Sequence, residues 1–130
     1  MKNIIITFVL SLITLFVPAQ ANAQSASMTF KNRSDYTLTI KVMHTGGGLY
    51  STITVGPNSS REIYFGSSGN FYCKTKAEKW SDTVYQKSSS FAVQNDSHGY
   101  SCGSMEFYVT SSSYGGGGSN ISKAEFEKNS

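Results

Sequence analysis

The sequence predicts an all-β fold, a small antiparallel β-sandwich of about seven to eight strands. Apolar and polar residues alternate with a period of two along most of the chain, and a helical stripe with a period of 3.6 residues is almost absent. Turns rich in glycine, serine and asparagine interrupt the alternation every 8–12 residues or so. Short alternating runs with regular turns are typical of sandwiches and barrels.

The clearest strands lie in the first half of the predicted domain. Residues 28–31 form the first, and residues 36–43 then place apolar side chains on one face and mainly threonine and lysine on the other. A glycine turn at residues 45–48 precedes residues 49–55, where the apolar face resumes. We expect these last two runs to form antiparallel strands joined by the turn.

The second half repeats this pattern with less regular spacing. A strong turn at residues 56–59 precedes a short alternating run, and a longer run follows residues 66–70. The polar stretch around Trp80 predicts a loop. The strands expected in this half are residues 61–65, 71–77, 83–87, 91–94 and 105–110.

The first 23 residues have the organisation of a secretory signal peptide. Lys2 supplies a positive charge, residues 4–17 are mostly apolar, and Ala21 and Ala23 form a small-x-small cleavage motif. The apolar run is shorter than the roughly 20 residues that a membrane-spanning helix needs. We therefore expect cleavage after Ala23, a secreted or periplasmic product and a β-sandwich domain over residues 24–110, with no transmembrane segment.

The last 20 residues differ in composition from the domain. Residues 111–120 are mainly glycine and serine, and beyond them only Ile121 and Phe126 are sizeable apolar residues. This composition predicts that residues 111–130 form a flexible linker and a C-terminal tail. The formal net charge of +3 becomes +2 without Lys2, and the basic residues are scattered, which disfavours a nucleic-acid partner.

Two cysteines, Cys73 and Cys102, follow the predicted leader. In an oxidising compartment two thiols of one small domain normally pair, so we expect a disulfide between them. A bridge closing a loop of this length stabilises a protein by about 3.6 kcal/mol in the chain-entropy description. Two free thiols or a pair of metal ligands are the alternatives.

One motif has the form of a catalytic site. Residues 99–103 match Gly-x-Ser-x-Gly, with Ser101 at the nucleophile position and His98 just before the motif. The nucleophile elbow needs a following helix, whereas this segment leads into a strand, and no histidine or aspartate follows Ser101. We expect a protein that is not an enzyme; a small secreted hydrolase using Ser101 is a minor alternative.

Metal and cofactor sites are not predicted. The two histidines lie far apart in sequence, and a transition-metal site needs three or four converging ligands. Residues 95–98 offer oxygen atoms for calcium but lack the acidic density of calcium loops. Four Asn-x-Ser sequons matter only in a host that glycosylates them; they begin at Asn32, Asn58, Asn95 and Asn120.

Tyrosines recur at the polar positions of the predicted strands. A tyrosine ring has apolar faces and a polar tip, and tyrosine is enriched at interfaces. The pattern therefore predicts a contact surface for a glycan or a protein partner at a cell surface; high β-propensity alone is the competing explanation. The candidate binding residues are Tyr50, Tyr64, Tyr72 and Tyr108, with Lys74 and Trp80 at the margin.

The sequence run from Asn32 to Ile40, followed by the glycine turn and the Gly-Pro-Asn-Ser turn at residues 56–59, resembles small secreted β-sandwich proteins of the aegerolysin and actinoporin kind. The resemblance is confined to this strand-and-turn pattern and carries over no site residue. It implies a membrane-surface-active or pore-forming-like protein as an alternative. The leading interpretation is an exported, non-catalytic binding or surface-associated module.

Overall fold

The computed structural model describes residues 4–15, 26–80, 82–111 and 118–129. Within these residues the chain consists almost entirely of β-strands, with one short helix. The strands are β1 (Ile4–Leu15), β2 (Ala26–Asn32), β3 (Thr37–His44), β4 (Leu49–Val55), β5 (Ser60–Phe65), β6 (Gly69–Lys79), β7 (Asp82–Ser88), β8 (Phe91–Val93), β9 (Asn95–Asp96), β10 (Gly99–Ser111) and β11 (Gly118–Asn120). The helix α1 spans Lys123–Glu127.

The strands form two sheets. Sheet I has the order β1-β10-β2-β5, with β9 also paired to β10, and sheet II has the order β11-β7-β6-β3-β4, with β8 also paired to β6. Neighbouring strands are antiparallel except β10 and β2, which are parallel. The prediction of an all-β fold dominated by antiparallel strands is confirmed, and the two sheets are consistent with a β-sandwich.

Period-two alternation builds the core between the sheets. Alternate residues of β2, of β3 as far as Val42 and of β10 around Met105 and Phe107 are almost completely buried, while their neighbours in sequence are more exposed. Complete burial of a valine, leucine, isoleucine, methionine or phenylalanine side chain stabilises a fold by about 1.5–3 kcal/mol. The core includes Met28 and Phe30 of β2, Leu38, Ile40 and Val42 of β3, Phe71, Cys73 and Ala77 of β6, and Met105 and Phe107 of β10.

A buried asparagine links the end of sheet I to a turn of sheet II. The Nδ2 atom of Asn32 donates to the backbone carbonyls of Tyr36 at 2.7 Å, Val55 at 3.3 Å and Gly56 at 2.9 Å. Its Oδ1 accepts from the backbone N–H and the hydroxyl of Ser34. Because both ends of this buried carboxamide are satisfied, Asn32 fixes the turn without an unpaired polar group.

Some elements were not predicted. β1 is formed by residues expected to be the apolar part of the leader, and β9 and β11 are short strands within predicted turns and tail. Residues 118–129, predicted to be flexible, pair β11 with β7 and place α1 against β6 and β7. The predicted cleavage motif at residues 21–23 and the linker residues 112–117 lie outside the described residues.

The predicted disulfide is wrong, because Cys73 and Cys102 are both free and not close together. Cys73 lies on β6 of sheet II and Cys102 on β10 of sheet I. An exported protein with two cysteines favours a disulfide, but a bridge also requires the two β-carbons to lie about 4 Å apart. The sequence does not specify that distance. Burial of Cys73 raises the pKa of its thiol to about 12, despite a hydrogen bond with Ser88 that acts the other way.

Candidate binding site

Two of the predicted tyrosines, Tyr50 of β4 and Tyr64 of β5, lie together where the edges of the two sheets meet. The hydroxyl of Tyr50 donates to the backbone carbonyl of Tyr64 at 2.7 Å, and its ring stacks on Phe65 with 5.1 Å between centroids. Tyr64 is more exposed, and its hydroxyl donates to Glu62 at 2.7 Å. The hydroxyls of both tyrosines are thus occupied by contacts within the protein.

The other candidates lie elsewhere. Tyr108 is on β10 of sheet I, where its hydroxyl donates to Glu106 at 2.9 Å. Tyr72 and Lys74 share the outward face of β6 in sheet II, because they occupy alternate positions of that strand. Trp80 follows the end of β6. The structure therefore brings together Tyr50 with Tyr64 and Tyr72 with Lys74, and it does not assemble all six residues into one surface.

Trp80 occupies the turn after the last ladder pair of β6 and β7, Lys79 with Asp82. Its backbone φ is +55°, in the left-handed region that residues other than glycine adopt infrequently. Its side chain is 93% exposed. Residues held in sparsely populated backbone conformations cluster at ligand-contact and active sites, so the conformation of Trp80 motivates a functional hypothesis.

The ring of Trp80 lies beside an open groove. The cavity has a volume of about 430 Å³ and is lined by Asp35, Thr37, Glu78, Lys79 and Trp80. The pairing of Thr37 with Glu78 on β3 and β6 brings these parts of the chain together. The groove therefore combines a flat apolar ring, a hydroxyl, two carboxylates and an ammonium group.

Lys79 organises the charges of this groove. Its Nζ donates to the carboxylate of Asp35 and lies 5.7 Å from the ring centroid of Tyr36 and 5.0 Å from that of Trp80. The hydrogen bond from Lys79 lowers the pKa of Asp35, and the same bond raises the pKa of Lys79. Asp35 is therefore held as a carboxylate, which accepts hydrogen bonds but is a poor proton donor.

A second polar cluster lies on the outward face of sheet II. Lys41 of β3 is paired directly with Lys74 of β6, which is in turn paired with Lys87 of β7. Like charges directly opposite one another on neighbouring strands are destabilising. The C-terminal segment that covers this face supplies the compensating oxygen atoms.

The helix α1 is held over this face mainly by its carbonyl groups. The Nζ of the fully buried Lys74 donates to the carbonyls of Glu125 at 2.8 Å and Lys128 at 3.0 Å. The Nζ of Lys41 donates to the carbonyl of Phe126 at 2.9 Å and to Oδ1 of Asn129 at 3.0 Å. Cations near the end of a helix where its carbonyls are exposed are stabilising.

Phe126 anchors the same segment. Its side chain is buried, with its ring centroid 5.3 Å from that of Tyr85 and the Nζ of Lys41 at 4.9 Å. Burial, followed by the charge of Lys74, lowers the pKa of Lys41, and burial also raises the pKa of Tyr72. Two predicted binding residues, Tyr72 and Lys74, thus lie where the chain's own tail is bound.

Ser101 has a structural environment. It is buried on β10, and its hydroxyl accepts from the N–H of Gln94 at 2.9 Å and donates to the carbonyl of Gln94 at 3.3 Å. His98 is an exposed residue beside Asp96. No group of three or more metal-binding side chains occurs within the described residues. Within those residues no helix has the length and apolar character to cross a membrane.

Sequence reasoning missed Asp35, Lys41 and Phe126. Asp35 and Lys41 reach their partners through the pairing of β3 with β6 and the docking of the tail, which local patterns do not reveal. Phe126 had a usable signal: Ser122 and Glu125 have the spacing of a capping box, and the Ser122 hydroxyl indeed accepts from the N–H of Glu125 at 3.0 Å. That box predicts a helix start just before Phe126.

Comparison with known proteins found no matching family model, no matching curated protein and no matching solved structure.

Proposed function

We propose that this chain is an exported, non-catalytic binding module, and that it binds a carbohydrate through Trp80 and the groove beside it. The observation that carries the proposal is the 93% exposed ring of Trp80 at the border of a groove containing Asp35 and Glu78. An aromatic face packs against the apolar face of a sugar ring, and carboxylates accept hydrogen bonds from its hydroxyl groups. Export is supported by the leader motif before residue 24.

The other candidate residues support this choice of site. Tyr72 and Lys74 lie next to the bound C-terminal segment, whereas Trp80 projects into solvent. The hydroxyls of Tyr50 and Tyr108 are both hydrogen-bonded within the protein. The Trp80 groove combines an exposed aromatic ring with two carboxylates at a concave surface, and each carboxylate keeps acceptor capacity beyond its ion pair, Asp35 with Lys79 and Glu78 with Lys76.

The charge state of the groove supports binding rather than hydrolysis. A glycosidase needs one carboxylic acid whose pKa is raised, so that it can protonate the leaving group. The pKa of Asp35 moves in the opposite direction because of Lys79. We therefore assign Asp35 the role of a hydrogen-bond acceptor.

The chain provides its own reporter for the test, because Trp80 is its single tryptophan. The exported protein is titrated with a panel of neutral oligosaccharides of glucose, mannose, galactose and N-acetylglucosamine while tryptophan fluorescence is recorded. We expect a saturable blue shift with at least one of them. Liposome co-sedimentation, run in parallel, tests the membrane-surface alternative.

Two variants make the experiment specific. On a glycan array, Trp80→Ala is expected to lose binding by about tenfold or more, as stacking contacts do on truncation. Tyr64→Ala removes an exposed aromatic ring away from the groove and should bind normally. Equal losses in both variants, or no spectral response to any oligosaccharide, would contradict the proposal.

A further inference from the structure

We infer that the outer edge of β10 is a docking site for an extended apolar strand that another protein donates. The inference rests on the export part of the proposed function, because it concerns the chain after its leader has been removed. It uses a different part of the molecule from the Trp80 groove. The observations that carry it are the pairing, the burial and the composition of β1.

β1 shows what this edge accepts. It pairs antiparallel with β10 along its whole length, from Ile4 opposite Ser111 to Leu15 opposite Tyr100. Of the β10 residues in this ladder only Glu106 is charged, and Arg33 lies 3.2 Å from it. The edge is therefore a long, nearly neutral hydrogen-bonding surface.

Sheet II also contacts β1, through a side chain of β7. The side chain of Ile6 is completely buried in the core between the sheets. Its backbone N–H donates to Oε1 of Gln86 on β7 at 3.1 Å, and Nε2 of Gln86 donates to Asn120 at 2.7 Å. Gln86 is itself 3% exposed. A buried carboxamide that accepts from the backbone of the edge strand is a specific contact, in addition to the β-ladder.

β1 has an unusual composition for a permanent edge strand. It contains no charged residue and no proline, and Val9 and Leu10 are 43% and 42% exposed. Natural edge strands are normally protected by charges, bulges or short length, because exposed apolar edges pair with other chains. The composition instead fits a leader segment, which the exported protein would lack.

Cleavage after Ala23 would leave little to replace β1. Two residues would then precede Ala26, where β2 begins, so the new N-terminus could not reach back along β10. Ile6 would leave an apolar hollow, and Oε1 of Gln86 would lose its donor. The exported domain would thus present an unpaired edge twelve residues long.

A second copy of the same chain does not fit this edge through its own β10. That strand is hydrogen-bonded to β2 on its other side, and it therefore carries a sheet with it. β1 contacts β7 and β11, so sheet II extends over the position of β1. The space suits a single strand with nothing behind it. We therefore assign the site to a free, uncharged and mainly apolar segment of about ten residues, like β1 itself, donated by a different protein.

The test begins with the N-terminus of the exported chain, measured by mass spectrometry. A start at Gln24 establishes the premise, and a start at Met1 overturns both the cleavage proposal and this inference. The probe is a fluorescein-labelled peptide of residues 4–15 with three added C-terminal lysines for solubility. With a chain that starts at Gln24, we expect saturable binding with a Kd of about 10 µM or lower.

Two peptide variants provide the control and leave the domain unchanged. Ile6→Asp places a carboxylate in the buried position and should weaken binding by at least about 30-fold. Val9→Asp changes an exposed position and should bind within about threefold of the parent. If the chain aggregates alone, added peptide should return it to a monomer in gel filtration. Absence of binding, failure to restore the monomer, or equal effects of the two substitutions overturns the inference while leaving the glycan proposal intact.

Discussion

Lys74 donates a hydrogen bond from its Nζ to the backbone carbonyl of Glu125 at 2.8 Å, across 51 positions of sequence. The carbonyl of Lys128 accepts a second bond from the same atom. Because the Lys74 side chain is fully buried, these carbonyls take the place of water around the ammonium group. The position of the tail and the burial of Lys74 therefore depend on each other.

The first prediction concerns the anchor of the tail. Phe126→Ala should release residues 118–129, and their amide hydrogens should exchange at least about tenfold faster, as measured by hydrogen exchange with mass spectrometry. A buried Phe→Ala change in a core costs about 3–5 kcal/mol, but here the loss is limited to the docking energy of the tail. Global unfolding should therefore change little. Lys123→Ala, at an exposed position of α1, should leave exchange unchanged. A large fall in global stability without selective exchange of the tail would contradict the prediction.

The second prediction concerns Asn32. In Asn32→Asp the carbonyls of Tyr36, Val55 and Gly56 lose their donor and face a buried carboxylate. We expect a loss of about 3–5 kcal/mol in the free energy of unfolding, measured by urea denaturation. Asn58→Gly is the control. The φ of Asn58 is +52°, which glycine adopts without strain, so its stability should change by less than about 1 kcal/mol.

The third prediction concerns the thiols. With a pKa of about 12, only about one in 10,000 Cys73 side chains is ionised at pH 8. Iodoacetamide should therefore alkylate Cys73 in the native protein at least about 1,000-fold more slowly than in guanidinium chloride, as followed by peptide mass spectrometry. The intact mass should correspond to two reduced cysteines. A mass lower by two hydrogens would show that a disulfide forms, and rapid alkylation of Cys73 in the native protein would show that its thiol is not buried.

The fourth prediction concerns acid stability. The hydrogen bond from Tyr108 and then that from Arg33 lower the pKa of Glu106 in the folded state. The contribution of the Glu106 carboxylate to the free energy of unfolding is therefore fully present above its pKa in the unfolded chain, about 4.3. It is lost as the pH falls through the lower pKa of the folded state. Glu106→Gln should melt about 1–3 °C below the parent at pH 7, and the difference should vanish in strong acid. Arg33→Gln should give a loss with the same direction of pH dependence. A difference that grows on acidification would contradict this account.

The elements that followed from the sequence are those specified by neighbouring residues. Alternation over residues 36–43 and 49–55 corresponds to β3 and β4, and the glycine turn between them contains Gly47 and Gly48 with φ of +110° and +104°. Sheet order could not be predicted in this way, because β10 lies between β1 and β2, which are distant from it in sequence. The error over Cys73 and Cys102 has the same cause, since it required knowledge of which strands face each other.

The candidate site shows the same division. Trp80 was identifiable because a large aromatic residue stood in a polar stretch predicted to be a loop. Asp35 was not, because it reaches Lys79 only when β3 lies beside β6. The tyrosines were assigned to one surface on the assumption that polar positions of different strands share a face. In fact they are divided between the two sheets and the edge where the sheets meet.

The buried carboxamide of Asn32 has a consequence for how the protein is made. Asn32, Arg33 and Ser34 form an Asn-x-Ser sequon, and oligosaccharyltransferase modifies the same Nδ2 atom that binds three carbonyls in the folded chain. A sugar attached there during translocation would have to enter the interior, so each molecule modified at Asn32 is diverted from folding. Asn120 is exposed, and its hydrogen bond with Gln86 uses Oδ1 rather than Nδ2, so a sugar on Nδ2 does not compete with that bond. The order of glycosylation and folding would therefore set the yield of this protein in a eukaryotic secretory host, whereas a bacterial host without this enzyme avoids the competition.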